Sequence, residues 1–141
     1  MSLSIRNRIP GTVTAITGGA VMATVRARLV GGQDITAAIT LEAVRELGLA
    51  EGSRVEALAK STEIALAAAD APVAGLSIRN QLPGTVTEVA AGGAMATVKV
   101  AIEGGELTAA ITKDAVDDLG LRTGTPVVAL IKSTEISLAA A

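Results

Sequence analysis

The chain of 141 residues is written twice. LSIRNRIPGTVT at Leu3–Thr14 returns as LSIRNQLPGTVT at Leu76–Thr87, TAAIT at Thr36–Thr40 returns at Thr108–Thr112, and KSTEI at Lys60–Ile64 returns at Lys132–Ile136. One residue is lost in the second copy, where Glu106 stands against Gln33-Asp34. Such self-similarity means one supersecondary unit used twice. It divides the chain into a first unit at 1–66, a linker at 67–75 and a second unit at 76–141. Each unit sits near the lower size limit for independent folding, so pairing is expected to stabilise it. The copies also sort residues by constraint. Arg26–Val30 drifts to Lys99–Glu103 and keeps only its hydrophobic period, whereas polar strings such as Ser-x-Arg-Asn stay fixed.

Strand signals dominate each copy. Gly11–Ile16 alternates Val and Ile with Thr at period two. Val21–Val30 sets Val21, Ala23, Val25, Ala27 and Leu29 against a wetter face of Met22, Thr24, Arg26 and Arg28. Gly31-Gly32 then offers a hairpin turn, and Asp34–Ile39 returns as the next strand. Pro10 suggests an edge or a bend. Thr40 reads as the N-cap of a short helix carrying Leu41, Val44 and Leu47, with Gly48 just past its end. Arg54–Ala59 and Glu63–Ala67 are two further short strands. About five strands with one small helix between the third and fourth predict an all-β chain with short helices, built as two tandem OB-like five-stranded β-barrels. The linker, AAADAPVAG, is short and has no core of its own.

Missing residue types narrow the chemistry. Cys is absent, which removes disulfides and thiolate metal sites, and His is absent, which removes the commonest general base and the Ser-His-Asp triad. Phe, Tyr and Trp are absent too, so bases have nothing to stack on, and the net charge of −2 speaks against a general polyanion surface. No nucleic-acid partner is expected. Apolar runs are short and broken, and MSLSIRNR has no signal-type core. No membrane partner is expected either, and the default is a soluble cytoplasmic protein.

Two polar clusters are retained beyond the turn and fold signals. One is Ser4, Arg6 and Asn7, repeated as Ser77, Arg79 and Asn80. The other is Lys60, Ser61 and Thr62, repeated as Lys132, Ser133 and Thr134. In a strand, positions i and i+2 share a face, so Ser4 and Arg6 project together. Lys60 and Ser61 fall at a strand-to-strand junction, where a turn exposes an ammonium, a hydroxyl and backbone N–H groups. Both clusters are donor-rich and positive, which describes a pocket for a small anion with several oxygens. The alternative is that Arg6 and Lys60 are solvated strand ends and Asn7 is a turn residue. Thr40 and Thr112 read first as helix caps, although a helix N-terminus also favours anions. Catalysis is poorly supported. A Ser–Lys dyad is the one nucleophile arrangement left, and adjacent strand residues point to opposite faces. Glu63 and Glu135 read as surface charge.

These strings carry a resemblance. Ser-x-Arg-Asn-x-x-x-Gly at Ser4–Gly11, Ala-Ile-Thr before the short helix, Leu-Gly-Leu-x-x-Gly at Leu47–Gly52 and Lys-Ser-Thr at Lys60–Thr62 resemble the molbindin (Mop) domain, and all four recur in the second copy. The resemblance implies a Mop fold. It also implies a cytoplasmic binder of molybdate, with tungstate as analogue, acting in molybdenum storage and homeostasis without catalytic turnover. It implies a homotrimer whose oxyanion sites lie between domains and subunits. The ions would be held by Ser4, Arg6, Lys60 and Ser61, by Ser77, Arg79, Lys132 and Ser133, and more weakly by Thr40 and Thr112. No side chain would ligate the metal directly. Neither a helix-turn-helix nor a nucleotide-binding domain is expected alongside the two units. A Ser–Lys hydrolase and a purely structural β-barrel oligomer are the competing readings.

Overall fold

The computed structural model describes residues 2–141. Ten strands and two short helices are found among them. β1 (Asn7–Gly18), β2 (Met22–Leu29), β3 (Asp34–Thr40), α1 (Leu41–Glu46), β4 (Arg54–Ala59) and β5 (Ala65–Ala67) derive from the first copy. The second copy supplies β6 (Asn80–Ala91), β7 (Met95–Ile102), β8 (Gly105–Thr112), α2 (Lys113–Leu119), β9 (Pro126–Ile131) and β10 (Ser137–Ala140). A 3-10 turn precedes β5 at Ser61–Glu63 and another precedes β10 at Ser133–Glu135.

Period-two patterning places the strands as expected. Ala23, Val25, Ala27 and Leu29 are buried, while Met22, Thr24, Arg26 and Arg28 face out. Val21 departs from the pattern and is 70 % exposed, because it precedes β2 and lies beyond the ladder. Without aromatic side chains, the core is tightly interleaved Val, Ile, Leu and Ala from both copies in one contiguous cluster. The helices are capped as their sequences suggest. Thr40 and Thr112 hydroxyls each accept from the third residue on, Ala43 N and Ala115 N, at 3.1 Å.

Pro10 sits inside β1 rather than at an edge or a bend. Its carbonyl accepts from Val30 N at 3.0 Å, so its nitrogen faces the same side, past the last β1–β2 ladder pair of Gly11 and Leu29. No ladder bond is lost there.

The fold is two OB-like five-stranded sheets, each curled into a half-barrel. Their strand orders are β10-β4-β1-β2-β3 and β5-β9-β6-β7-β8. The fifth strand of each copy therefore completes the sheet of the other. β10 pairs antiparallel with β4 (Ser137 opposite Leu58 to Ala140 opposite Val55), and β5 pairs with β9 (Ala65 opposite Leu130 to Ala67 opposite Val128). The chain crosses between sheets at the two 3-10 turns, not at the linker. The turns have the means to do so. KSTEI contains no glycine or asparagine for a tight hairpin, and no non-glycine residue here takes a positive φ, so the chain runs on past β4 instead of folding back. Ile64 and Ile136, buried at 2 % and 4 % exposure, anchor the far end of each crossing in the shared core.

Closure of each curl is not a complete ladder. Strand β3 is an outer strand, and Thr36 on it is paired by a side chain from the other half. Asn80 accepts from Thr36 N (2.7 Å) and donates to Thr36 O (2.9 Å). Asn7 does the same to Thr108 on β8, at 2.7 and 2.9 Å. A carboxamide has one donor and one acceptor end, so it substitutes for one residue of a neighbouring strand. These buried asparagines, 3 % and 2 % exposed, are clamps between the halves, not turn residues. On the opposite side the hairpin tips touch. A Cβ on Gly31 would overlap Glu103 O, and one on Gly104 would lie 2.7 Å from Gly31 Cα. Gly-Gly at both tips thus serves the contact as well as the turn.

Candidate functional site

The two retained polar clusters are neighbours because of the β1–β4 register. Asn7 opposite Ala59 is the last ladder pair, so Arg6 and Lys60 are the next residues outward on adjacent strands. In the second copy Asn80 opposite Ile131 places Arg79 and Lys132 likewise. Lys60 remains extended (φ −69°, ψ 141°), and Ser61 then opens the crossover turn. As a result Ser4, Arg6, Lys60 and Ser61 line one open pocket of about 340 Å³, together with Ile5 and Thr62. The residues lining it include two cations, three hydroxyls and no carboxylate.

The arginine is held before any ligand arrives. Arg6 Nε donates to Ser4 O at 3.1 Å and Nη2 to Leu3 O at 3.0 Å. Arg79 repeats this with Ser77 O (3.1 Å) and Leu76 O (2.6 Å). A guanidinium has five N–H donors, so two backbone bonds fix its plane and leave the Nη1 edge free of protein partners among the described residues. Lys60 and Lys132 are exposed and form no ion pair among the described residues. Ser61 Oγ accepts a long bond from Asn7 Nδ2 at 3.4 Å. Ser133 Oγ is buried with no partner among the described residues. An orphaned buried hydroxyl is costly and is commonly explained by a missing ligand or water.

Behind each lysine is a second, more acidic cavity. One of about 180 Å³ is lined by Lys60, Glu63, Thr134 and Glu135 among others. Its counterpart of about 280 Å³ is lined by Lys132, Glu135, Thr62 and Glu63. Both glutamates thus sit at the crossovers and line both cavities, and neither forms an ion pair among the described residues. Surface charge pairing, expected from sequence, does not describe them.

Thr40 and Thr112 are not among the residues lining the pocket shared by Ser4 and Arg6, and their hydroxyls are engaged as caps. No hydrogen bond joins Ser61 to Lys60 or Ser133 to Lys132 among the described residues. No group of three or more Asp, Glu, His or Cys is placed to hold a bare metal ion among them either. No helix among the described residues is long and apolar enough to cross a membrane. Asn7 and Asn80 belong to the retained cluster by sequence, and the structure makes them clamps between the halves and not turn residues. Their signal was retention beside Arg6 and Arg79 in both copies.

Comparison with known proteins identifies the family and the fold. The family model of the TOBE domain matches twice, over residues 3–66 and 76–138. Among solved structures, the cytoplasmic molybdate-binding protein ModG, in a crystal form with molybdate bound, superposes with a TM-score of 0.95. The two are 40 % identical, and the match covers 100 % of both chains. The molybdenum-pterin-binding protein MopB of Rhodobacter capsulatus is 41 % identical over 137 residues, which is 96 % of this chain and 50 % of MopB. The molybdenum transport protein ModE of Herbaspirillum seropedicae is 36 % identical over 140 residues, 99 % of this chain and 52 % of ModE. The chain therefore spans about half the length of these two relatives.

Proposed function

The chain belongs to the TOBE (molbindin) domain family, of which it carries two copies, and we propose that it binds molybdate, with tungstate as an analogue, in the cytoplasm. Its role is molybdenum storage and homeostasis, without catalytic turnover. The single observation that carries this reading is the convergence of Ser4, Arg6, Lys60 and Ser61 on one carboxylate-free pocket. It gains weight from full-length likeness to ModG, which is described with molybdate bound.

Molybdate is a tetrahedral dianion that offers only acceptors near neutral pH. A pocket of two cations and several hydroxyls matches both its charge and its hydrogen-bonding sense. Arg6 supplies a pre-oriented planar edge, Lys60 a mobile ammonium, and Ser4 and Ser61 neutral donors. In the second copy Ser77, Arg79, Lys132 and Ser133 take these roles, and the orphaned Ser133 hydroxyl gains a partner when an anion enters. Thr40 and Thr112 are second-rank candidates whose hydroxyls would have to serve both cap and ligand.

A dianion is expensive to desolvate unless every oxygen is paired. The pocket is open on a single chain, so a second wall is required, and a neighbouring copy provides it. Away from the pocket lining, Val21, Val30, Met22 and Met95 stand 70, 64, 46 and 50 % exposed, apolar surface that association between copies would cover. We take the assembly to be a homotrimer, giving six domains. Ions held between copies would then couple loading to assembly by mass action.

The test is titration calorimetry with sodium molybdate, paired with elemental analysis of the loaded protein. Wild type is expected to bind several ions per chain assembly. Replacing Arg6 and Arg79 together by Ala should weaken binding by more than about tenfold, the loss of roughly 1.4 kcal/mol or more. Unchanged affinity in that variant would reject the assigned role.

A further inference from the structure

We propose that Asn7 is a positioning residue for the first-copy site, acting through Ser61, and that this makes the serines of the two copies unequal. The inference rests on the molybdate reading above and adds to it a residue that touches no ligand.

Asn7 is buried, and its amide is fully engaged. Oδ1 accepts from Thr108 N at 2.7 Å. Nδ2 donates to Thr108 O at 2.9 Å, to Ala59 O at 3.0 Å and, more weakly, to Ser61 Oγ at 3.4 Å. An amide nitrogen has two protons, so Ala59 O and Ser61 Oγ share one of them. A serine hydroxyl has one proton and two lone pairs. With an N–H aimed at one lone pair, the Ser61 proton is turned away from Asn7. Ser61 also lines the pocket beside Arg6 and Lys60, so the hydroxyl is set to donate to what enters it. That is the sense an acceptor-only oxyanion needs. A donor already pointing the right way loses less orientational freedom on binding than one that must be turned.

The second copy is a built-in control. Asn80 makes the same clamp, to Thr36 N (2.7 Å), Thr36 O (2.9 Å) and Ile131 O (3.1 Å). It makes no bond to Ser133, whose hydroxyl has no partner among the described residues. Asn7 and Asn80 therefore share a structural duty, and only Asn7 has the second one.

The experiment is a pair of double-mutant cycles on the full-length assembled protein, read by calorimetry with sodium molybdate and by thermal melting. Asn7→Ala and Asn80→Ala should lower Tm by similar amounts, since each removes the same clamp. In the Asn7/Ser61 cycle, Asn7→Ala should cost at least threefold more affinity in the presence of Ser61 than in an S61A background. The Asn80/Ser133 cycle should show no coupling. A merely structural Asn7 would move Tm and leave the cycle uncoupled, which overturns the proposal. Should the asparagine variants fail to fold, S61A and S133A decide alone: S61A is expected to lose the more affinity, and equal losses or a larger one for S133A overturn the proposal. Wild type that takes up no molybdate overturns the underlying reading and this one with it. Wild-type binding with Asn7 and Ser61 uncoupled overturns this one only.

Discussion

The two halves are alike at the asparagine clamps and crossovers and differ in the ion pairs and linker contacts along their strands. Asn7 and Asn80 clamp Thr108 and Thr36, the first residues of the TAAIT strings. The KSTEI strings are the crossovers that exchange β5 and β10. Other strand positions differ. Arg8 forms a 2.8 Å ion pair with Glu56 in the first half. At the equivalent place Gln81 grips the linker, accepting from Val73 N at 2.6 Å and donating to Val73 O at 3.0 Å, and Val128 replaces the glutamate. Arg28 pairs with Asp34 in the first half, and in the second Ala101 stands opposite Glu106, so the acid keeps its place and the arginine is gone. An internal repeat thus reports part of its own interface. Beyond the helix caps and strand threonines, the polar residues kept in both copies include those answering to the other copy, Asn7 and Asn80, and those beside the crossover.

The largest effect should come from removing β10. Truncation after Ile136 takes away Ser137–Ala140, which pair with β4 of the first half. The loss should then appear in the first half, as fast amide exchange at Val55–Leu58 and a drop in Tm of about 10 °C or more, consistent with several kcal/mol in a chain of this size. Damage confined to the second half would mean that the strands are not exchanged.

Next in size is the tip contact. Gly104→Ala puts a methyl against Gly31 on a backbone with φ +74°, and should cost about 1–3 kcal/mol in denaturant unfolding. Gly32→Ala, at φ +96° but with open space around it, should cost only about 1 kcal/mol. Equal costs would mean that the tips do not press on each other. Smaller again is Gln81→Ala, expected at about 1 kcal/mol with deprotection of the Val73 amide. Arg8→Ala should leave that amide unchanged.

The smallest effect is electrostatic and confined to the first half. The hydrogen bond from Arg28 holds the Asp34 carboxyl below its ordinary value. A depressed carboxyl contributes stability that is present above the unfolded-state value and is lost as pH falls through the folded-state one. The Tm gap between wild type and Asp34→Asn should thus be small near neutrality. It should close as the solution is acidified below about pH 3.9, the ordinary aspartate range. Both groups are exposed, and added salt should shrink the gap as well.

Much of this was legible from the residues. Period two marked the faces of β2 and β7, Thr40 and Thr112 marked the caps, and the fixed Ser-x-Arg and Lys-Ser strings marked one pocket. Three things were not. Strand exchange is invisible to pattern, because alternation says which face is buried and not which sheet a strand joins. With two near-identical copies, β5 and β10 fit either sheet equally well by hydrophobicity. What decides is the turn, which lacks a residue able to reverse the chain. The asparagine clamps were hidden because local turn chemistry is the commoner use of Asn. The Gly31–Gly104 contact was hidden because a Gly-Gly hairpin needs no further reason.

Kept cationic and hydroxyl side chains enclosing an oxyanion beside each crossover are the centre of the proposed function. The most direct measurement is anomalous diffraction at the molybdenum edge from crystals of the full-length protein grown with molybdate. The expected result is a peak within hydrogen-bonding reach of Arg6, Lys60 and Ser61, with a counterpart at Arg79, Lys132 and Ser133, closed over by a neighbouring copy. Peaks elsewhere, with those side chains turned to bulk water, would contradict it.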